Sequence, residues 1–405
     1  MIKAFTLEKI GYQGLQRAMK AVAGTMPFPK PTLFMGPDSS LELCDAIAQL
    51  DETKILIVTD KTLVEIGLLK KIEERLSANG VNYSIFDGVK PDPTFDQIEA
   101  ASAQLDAQRC EAVLAVGGGS AIDCAKVVCA VATNKKSLRK LSGMFRVFKA
   151  PLPLFAVPTT AGTGSEVTLA AVISDPETHK KFSILDPKLT PLMAALDGAL
   201  MTGLPPGITA ATGMDALTHA IEAYISRNAF ADTDAHALAA TRLIMDNLPA
   251  AFADGSDVAT RQQLAQASYY AGLAFTKAGV GYVHAIAHAL GGRYHTPHGL
   301  ANAIVLPHLL DYTRDAVVPR LAKLAEVSGL GGEHDHEEQL ADAFIAHVRE
   351  MAGSFDIPET LDALREQDIP SLARAALKEA HLTYAVPKYM DQKTCETLIG
   401  QMLPR

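Results

Sequence analysis

The sequence predicts an α/β domain with a parallel sheet over residues 1–200, followed by an all-α domain over residues 201–405. Three observations lead there. At 405 residues the chain exceeds what one hydrophobic core usually serves. Short β-branched runs alternate with helical stretches through the first half, the pattern of a parallel sheet with crossover helices. From about Gly207 the strands nearly vanish, and long Ala-rich periodic segments replace them.

Lys54–Thr59 (KILIVT) is an apolar, β-branched run stopped by Asp60, and Thr62–Asn79 after it is helical. Val81–Phe86 reads as a second strand and Asp96–Gln108 as a helix. Ala112–Val116 (AVLAV) is continuous enough to be buried on both faces. It runs into Gly117-Gly118-Gly119-Ser120, with helix again over Ile122–Thr133 and strand over Leu154–Val157. Asp197–Pro206, rich in Gly and Pro, marks the junction. Helical periodicity then covers Thr209–Ser226, Ala231–Leu248, Arg261–Phe275, Val280–Leu290 and Val317–Ser328, with more between Glu338 and Met351 and between Ile369 and Lys378.

Composition narrows the function. A formal net charge of -9 without a basic stripe argues against nucleic acid as a partner. No clean apolar run of about 20 residues exists to span a membrane, since Ala112–Ala132 is interrupted by Gly, Asp123 and Lys126. Met1–Gly24 lacks the pattern of a signal peptide. Five cysteines (Cys44, Cys110, Cys124, Cys129, Cys395) form no metal or disulfide pattern, and read as small buried hydrophobes of a reduced, cytoplasmic protein. Pro31–Met35 reads as an edge strand able to pair between subunits of a homo-oligomer, a dimer or higher.

Two loops at strand ends suit a nucleotide. The glycines of Gly117-Gly118-Gly119-Ser120 let backbone approach a pyrophosphate, and the following helix N-terminus presents free N–H groups. Asp123 joins this set, although an acid is favoured in any first helical turn. A bare structural turn is the other reading of the glycines. The usual Gly-x-Gly-x-x-Gly is missing after the first strand, which runs into Asp60-Lys61-Thr62 instead. Asp60 either accepts an adenosine-ribose hydroxyl, repelling a 2′-phosphate and favouring NAD over NADP, or caps the next helix. The second loop, Pro158-Thr159-Thr160-Ala161-Gly162-Thr163-Gly164-Ser165-Glu166, offers hydroxyls where open α/β sheets bind ligands.

The helical half carries a possible metal site. Asp215 and His219 lie four apart on one helix face, as do His284 and His288, and His298 follows the Gly291-Gly292 break. A carboxylate and several imidazoles from separate helices suit Fe2+, Zn2+ or Mn2+. Each histidine alone also reads as a hydrogen-bonded core residue. The cluster His334-Asp335-His336-Glu337-Glu338 reads as a solvated helix start.

With these residues in place, the sequence resembles the iron-containing (group III) alcohol dehydrogenase family. GGGSAIDCAK (Gly117–Lys126), PTTAGTGSEVT (Pro158–Thr168), GMDALTHAIEAY (Gly213–Tyr224) and HAIAHALGGRYHTPHGLANAI (His284–Ile304) occur in the family's order across most of the chain. The resemblance implies a dehydroquinate synthase-like architecture, with a dinucleotide-binding domain ahead of a helical metal-binding one. It implies metal ligation by Asp215, His219, His284 and His298, and puts His288 near nicotinamide and substrate as a group for proton exchange. Gly118, Gly119 and Ser120 should hold the pyrophosphate, Thr159, Thr160 and Thr163 line the cofactor cleft, and Asp60 and Lys181 reach riboses. Asp92 stands where many relatives have asparagine, and Val386-Pro387-Lys388 where many have Asn-Pro-Arg.

The expected activity is hydride transfer between NAD(H) and a small primary alcohol or aldehyde, with a divalent metal, Fe2+ first, as Lewis acid. A polyol dehydrogenase of glycerol type is the rival within the class. A metal- and NAD-dependent lyase of dehydroquinate-synthase type is the rival outside it, but needs several basic residues around a polyanion. Near the metal motifs in sequence, Lys277 and Arg293 are the main positive charges.

Overall fold

Apolar runs that end at Asp, Gly or Pro become strands, and the stretches between them become helices. In chain order come helix α1 (Ala4–Thr25), strand β1 (Thr32–Met35), α2 (Ser39–Ile47), β2 (Lys54–Val58), α3 (Lys61–Glu65), α4 (Lys70–Ala78) and β3 (Asn82–Phe86). Next are α5 (Phe95–Gln108), β4 (Ala112–Gly117), α6 (Gly119–Asn134), α7 (Leu138–Leu141) and β5 (Gly143–Met144). They are followed by β6 (Leu154–Pro158), β7 (Ala170–Ser174), β8 (Lys181–Leu185) and β9 (Met193–Leu196). Helices then take over: α8 (Pro206–Ile225), α9 (Ala231–Ala253), α10 (Val258–Ala278), α11 (Tyr282–Tyr294), α12 (His298–Val327), α13 (Glu337–Ser354), α14 (Ile369–Thr383) and α15 (Gln392–Gly400). This computed structural model describes residues 4–50, 54–176, 181–332 and 335–404.

Six strands form one sheet in the order β1-β9-β6-β4-β2-β3, and every neighbouring pair is parallel. All six residues of β4 are buried, because the strand is central and covered on both faces. Val113 and Ala115 pack with Ile98, Ala101 and Leu105 of α5 and the apolar side of α6. Ala112, Leu114 and Val116 turn the other way, toward Leu43 and Ile47 of α2 and Ile72 and Leu76 of α4. That is the period-two alternation of a strand sandwiched between helix layers. The chain winds outward from β2 to β3, then returns to β4 on the other side of β2, so the connections diverge between β2 and β4.

The sheet and the helical region belong to two compact units. One comprises Pro27–Leu204 and Gly255–Gly272; the other comprises the described part of Met1–Met26, Pro205–Asp254 and Leu273–Arg405. Two segments thus cross a simple division at residue 200. Gln262, on the early part of α10, accepts from Gly198 N at 2.9 Å and donates to Leu196 O at 2.8 Å, fastening that segment to the end of β9. In the helical unit, Lys20 of α1 donates to Arg227 O and Ala229 O at 2.8 and 2.9 Å, and Tyr12 stacks on Tyr389. Among the described residues, no helix is long and apolar enough to cross a membrane.

Several elements differ from expectation for local reasons. The helix expected over Thr62–Asn79 is two, α3 and α4, because Gly67 takes a left-handed φ of 72° between them. The segment expected to begin at Val317 is the second part of α12, whose first part carries Pro307; Val317, with φ -138°, marks the kink between them. A three-stranded sheet, β5-β8-β7, has short and partly exposed strands that carry little periodicity. At the expected solvated helix start, α13 begins at Glu337 with Glu338 beside it, and His336 N donates to Gln339 Oε1. His334 lies outside the described residues. All five cysteines are free and buried, and burial pushes the Cys44, Cys124 and Cys395 thiols up to about 12.

A polar group sits inside the α/β unit. Lys126, fully buried on α6, donates to Thr168 O, Thr168 Oγ1 and Ala170 O at 2.7–2.9 Å. Glu166 is buried nearby, and burial pushes its carboxyl up to about 7. Between its ordinary value of 4.5 and 7 the folded state holds a proton that the unfolded chain has lost. Stability therefore falls as pH rises through that window, by about 3 kcal/mol at most. Glu166→Gln is expected to flatten this part of the stability curve, read as denaturation midpoints from pH 4.5 to 7. An unchanged slope would show that other groups set it.

Candidate metal centre and nucleotide loops

In the α/β unit, the loops singled out from sequence start on neighbouring strands. Gly117, the last residue of β4, is in register with Pro158, the last of β6, and Thr159 N donates to Gly117 O at 3.0 Å. Val58 ends β2 on the other side of β4, two residues before Asp60. Asp60, Gly118–Ser120 and Thr159–Thr163 thus cluster at the carboxyl ends of three adjacent strands, where an open α/β sheet binds ligands. The loops touch. A methyl added at Gly119 would fall 2.6 Å from Thr163 Oγ1, so only glycine lets the start of α6 lie against the second loop. Gly118–Ser120 are partly exposed and open α6, leaving early N–H groups for an anion.

The remaining residues of this set are engaged as follows. Asp60 Oδ1 accepts from Leu63 N at 3.1 Å and so caps α3. Thr159 is buried, and Thr163 Oγ1 accepts from Ser165 N at 3.2 Å. Asp123 accepts from Ser165 Oγ at 2.5 Å and from Val172 N at 2.9 Å. With both oxygens occupied, it ties α6 to the second loop and to β7, which accounts for an acid at this position without a nucleotide. Lys181 Nζ lies 2.7 Å from Asp92 Oδ1. Asp92 itself takes a left-handed φ of 56°, and Ser174 N bonds to Pro93 O beside it.

In the helical unit, α8, α11 and the first residue of α12 bring one carboxylate and three imidazoles together. Asp215, His219, His284 and His298 each direct one ligand atom into a group whose members all lie within 4.8 Å of one another. His284 Nε2 is 3.8 Å, and His298 Nε2 3.5 Å, from Asp215 Oδ1. Donors about 2.1 Å from a tetrahedral ion are about 3.4 Å apart, so this spacing fits a small divalent cation. His284 Nε2 is buried and makes no hydrogen bond, an orphan that a cation would satisfy. Burial, with the neighbouring imidazoles, holds His284 well below the usual histidine range, so it stays neutral and competent to ligate. Gly299 permits the geometry at His298, because a methyl there would lie 2.4 Å from Ala211 O of α8.

Around these four residues stand partners that the sequence reading did not assign. Glu222, one turn beyond His219 on α8, is buried. It accepts from His284 Nδ1 at 2.6 Å, Gly281 N at 2.8 Å and Val283 N at 2.7 Å. Asn302 Nδ2 donates to Asp215 Oδ1 at 2.6 Å. Their spacings, Glu222 seven after Asp215 and Asn302 four after His298, put each on its ligand's own helix face, a signal available in the sequence. His288, one turn after His284, is partly exposed; its ring stacks on His298 at 5.3 Å, and its Nδ1 is 2.7 Å from Glu379 Oε1. Glu379 is 91 positions away, and no spacing rule points to it.

Outer partners that orient metal ligands typically contribute tenfold to a hundredfold in affinity. Glu222→Ala is expected to weaken Zn2+ binding, measured by competition with a chromophoric chelator, by about that factor. Unchanged affinity would separate Glu222 from ligation and leave it a helix-anchoring group.

Comparison with known proteins agrees with this geometry. Residues 30–198 match the family description "iron-containing alcohol dehydrogenase", and residues 209–403 match "Fe-containing alcohol dehydrogenase family, C-terminal". Alcohol dehydrogenase 4 of Saccharomyces cerevisiae is 41% identical over 367 residues, 89% of this chain and 94% of that protein. NAD-dependent methanol dehydrogenase of Bacillus methanolicus is 36% identical over 354 residues, 87% and 93% of the two chains. The crystal structure of a 1,3-propanediol oxidoreductase is similar with a TM-score of 0.89 and 37% identity, over 93% of this chain and 100% of that one. By both sequence and fold, the chain belongs to the iron-containing alcohol dehydrogenase family.

Proposed function

We propose that this enzyme transfers a hydride between NAD(H) and a small primary alcohol or aldehyde, using a divalent cation held by Asp215, His219, His284 and His298. The observation that carries the proposal is the convergence of those four donors on a single point among buried helices. A cation there supplies Lewis-acid chemistry toward a substrate oxygen, and NAD supplies the redox chemistry. Fe2+ is the proposed ion, from the family; a set of three imidazoles and one carboxylate also accepts Zn2+ or Mn2+.

The chain's own residues have distinct tasks. Glu222 fixes the His284 ring through Nδ1, leaving Nε2 to ligate, and Asn302 orients the Asp215 carboxylate. Gly118, Gly119 and Ser120 receive the pyrophosphate on the first turn of α6, with Thr159, Thr160 and Thr163 lining the same cofactor site. Asp60 faces the adenosine ribose and disfavours a 2′-phosphate, while Lys181 reaches the other ribose. His288 takes the proton released as an alcohol is oxidised and passes it to water, for which its partial exposure suits it. Asp123, with both oxygens bonded within the protein, serves to shape the nucleotide loops. We further propose a cytoplasmic homo-oligomer. Its support is the set of five free thiols and the position of β1 at the sheet edge, where a second subunit can pair.

Purified enzyme with NAD and a panel of small alcohols is expected to generate NADH, followed by its near-ultraviolet absorbance. Chelation should abolish the signal, and adding back Fe2+ anaerobically, Zn2+ or Mn2+ should restore it with one ion best. No turnover with any alcohol, or with aldehydes and either reduced cofactor, would overturn the dehydrogenase reading in favour of a lyase. Asp60→Ala is expected to raise the preference for NADP relative to NAD by about tenfold or more, since it removes a like-charge clash. An unchanged ratio of kcat/KM values would remove Asp60 from cofactor selection.

A further inference from the structure

Helix α14 reaches α11 at two points. His381 Nε2 lies 2.7 Å from the hydroxyl of Tyr282, the residue that opens α11. Two residues earlier on α14, Glu379 Oε1 lies 2.7 Å from His288 Nδ1. The same Glu379 oxygen accepts from the Tyr384 hydroxyl at 2.6 Å, just past the end of α14. Burial first, and then the Glu379 charge, keep the Tyr384 hydroxyl protonated, so it serves as a donor. The His288 ring is therefore held on one side by a carboxylate through Nδ1 and stacked flat against His298, 17° from parallel.

A carboxylate accepts hydrogen bonds only, so the bond to His288 places the ring proton on Nδ1 and leaves Nε2 with its lone pair. We propose that Glu379, itself oriented by Tyr384, is the positioning residue that keeps His288 in the tautomer and orientation needed to receive the proton of the oxidised alcohol. The inference rests on the reading of His288 as the proton acceptor given above. In the step it serves, bound NAD would take the substrate hydride, and the O–H proton goes to His288 Nε2. The ring then carries Nδ1–H and Nε2–H beside the Glu379 carboxylate, and water removes the proton. Neither Glu379 nor Tyr384 changes its own covalent state.

Glutamine at position 379 removes the charge and can present an N–H to Nδ1, so the Nδ1–H tautomer is no longer enforced. Glu379→Gln is expected to lower kcat by about a hundredfold, with KM for NAD and bound metal per subunit unchanged. Glu379→Asp should restore part of the loss, and Tyr384→Phe should cost less than Glu379→Gln. In the zinc-loaded protein, the imidazole 15N shifts of His288, identified by their loss in His288→Ala, should report protonated Nδ1, and in Glu379→Gln they should move toward protonated Nε2. The double variant His288→Ala with Glu379→Gln should turn over no more slowly than His288→Ala alone.

If His288→Ala is slow while Glu379→Gln keeps kcat within twofold, the positioning role is overturned and the reading of His288 stands. Full turnover in His288→Ala overturns both. Loss of metal in Glu379→Gln, or effects that add fully in the double variant, assigns Glu379 to architecture and overturns the proposal.

Discussion

The helical unit is organised around one carboxylate. Glu222 projects from α8 into the N-terminus of α11, where Gly281 N and Val283 N would otherwise have no intrahelical acceptor. Those two bonds fix where α11 begins, and the third, to His284 Nδ1, fixes which way its first histidine faces. Burial pushes the Glu222 carboxyl up to about 8, even with the donors at Gly281, Val283 and His284 pulling it down. The local helix end, the fold and the ligand geometry thus share one side chain. Asp215 and His219 stand on the same α8 face as Glu222, so seating α11 on Glu222 also seats His284 opposite them.

The α/β unit solves a different problem, which is to hold irregular loops at strand ends without losing backbone hydrogen bonds. The bond from Thr159 N to Gly117 O extends the β4–β6 ladder by one step into the loops. Beneath, Asp123 holds Ser165 and Val172 N, while Lys126 takes three oxygens from Thr168 and Ala170. Burial disfavours the charge on both groups, and it is offset by these hydrogen bonds and by the opposite charge each presents to the other. They explain why acid and base recur in GGGSAIDCAK alongside the glycines: the glycines shape the loop, and Asp123 and Lys126 secure what lies behind it.

The sheet was legible in sequence because its strands are buried runs with clear stops. KILIV, AVLAVG and LFAVP all pair in the parallel register that their composition suggested. The four converging donors were legible as spacings, 215/219 and 284/288, but the choice of His298 over His288 came only through the family resemblance. The fold gives the physical reason afterwards: Gly299 lets His298, at the head of α12, pack on α8 within 3.5 Å of Asp215 Oδ1, while His288 turns its Nδ1 to Glu379. The weak spots share a cause. Helices α1 and α2, the small sheet and the partners of His288 depend on contacts made far along the chain, and local periodicity carries no record of them. Lys20 meeting Arg227 and Glu379 meeting His288 are both of this kind.

The two histidines of α11 show how position alone divides labour. Each offers Nδ1 to a glutamate from a different helix, Glu222 of α8 or Glu379 of α14, at 2.6 and 2.7 Å. By the hydrogen bond alone they would be equivalent. His284 is buried, and neighbouring imidazoles add to the cost of charging it, so it stays neutral, the state that the proposed ligation needs. One turn on, His288 keeps about a quarter of its side chain exposed, enough for exchange with water. A ring that must gain and lose a proton needs that access, and His284, proposed only as a ligand, does without it. The same carboxylate–imidazole unit, repeated one helical turn apart at two depths, therefore suits the two different roles proposed for these histidines.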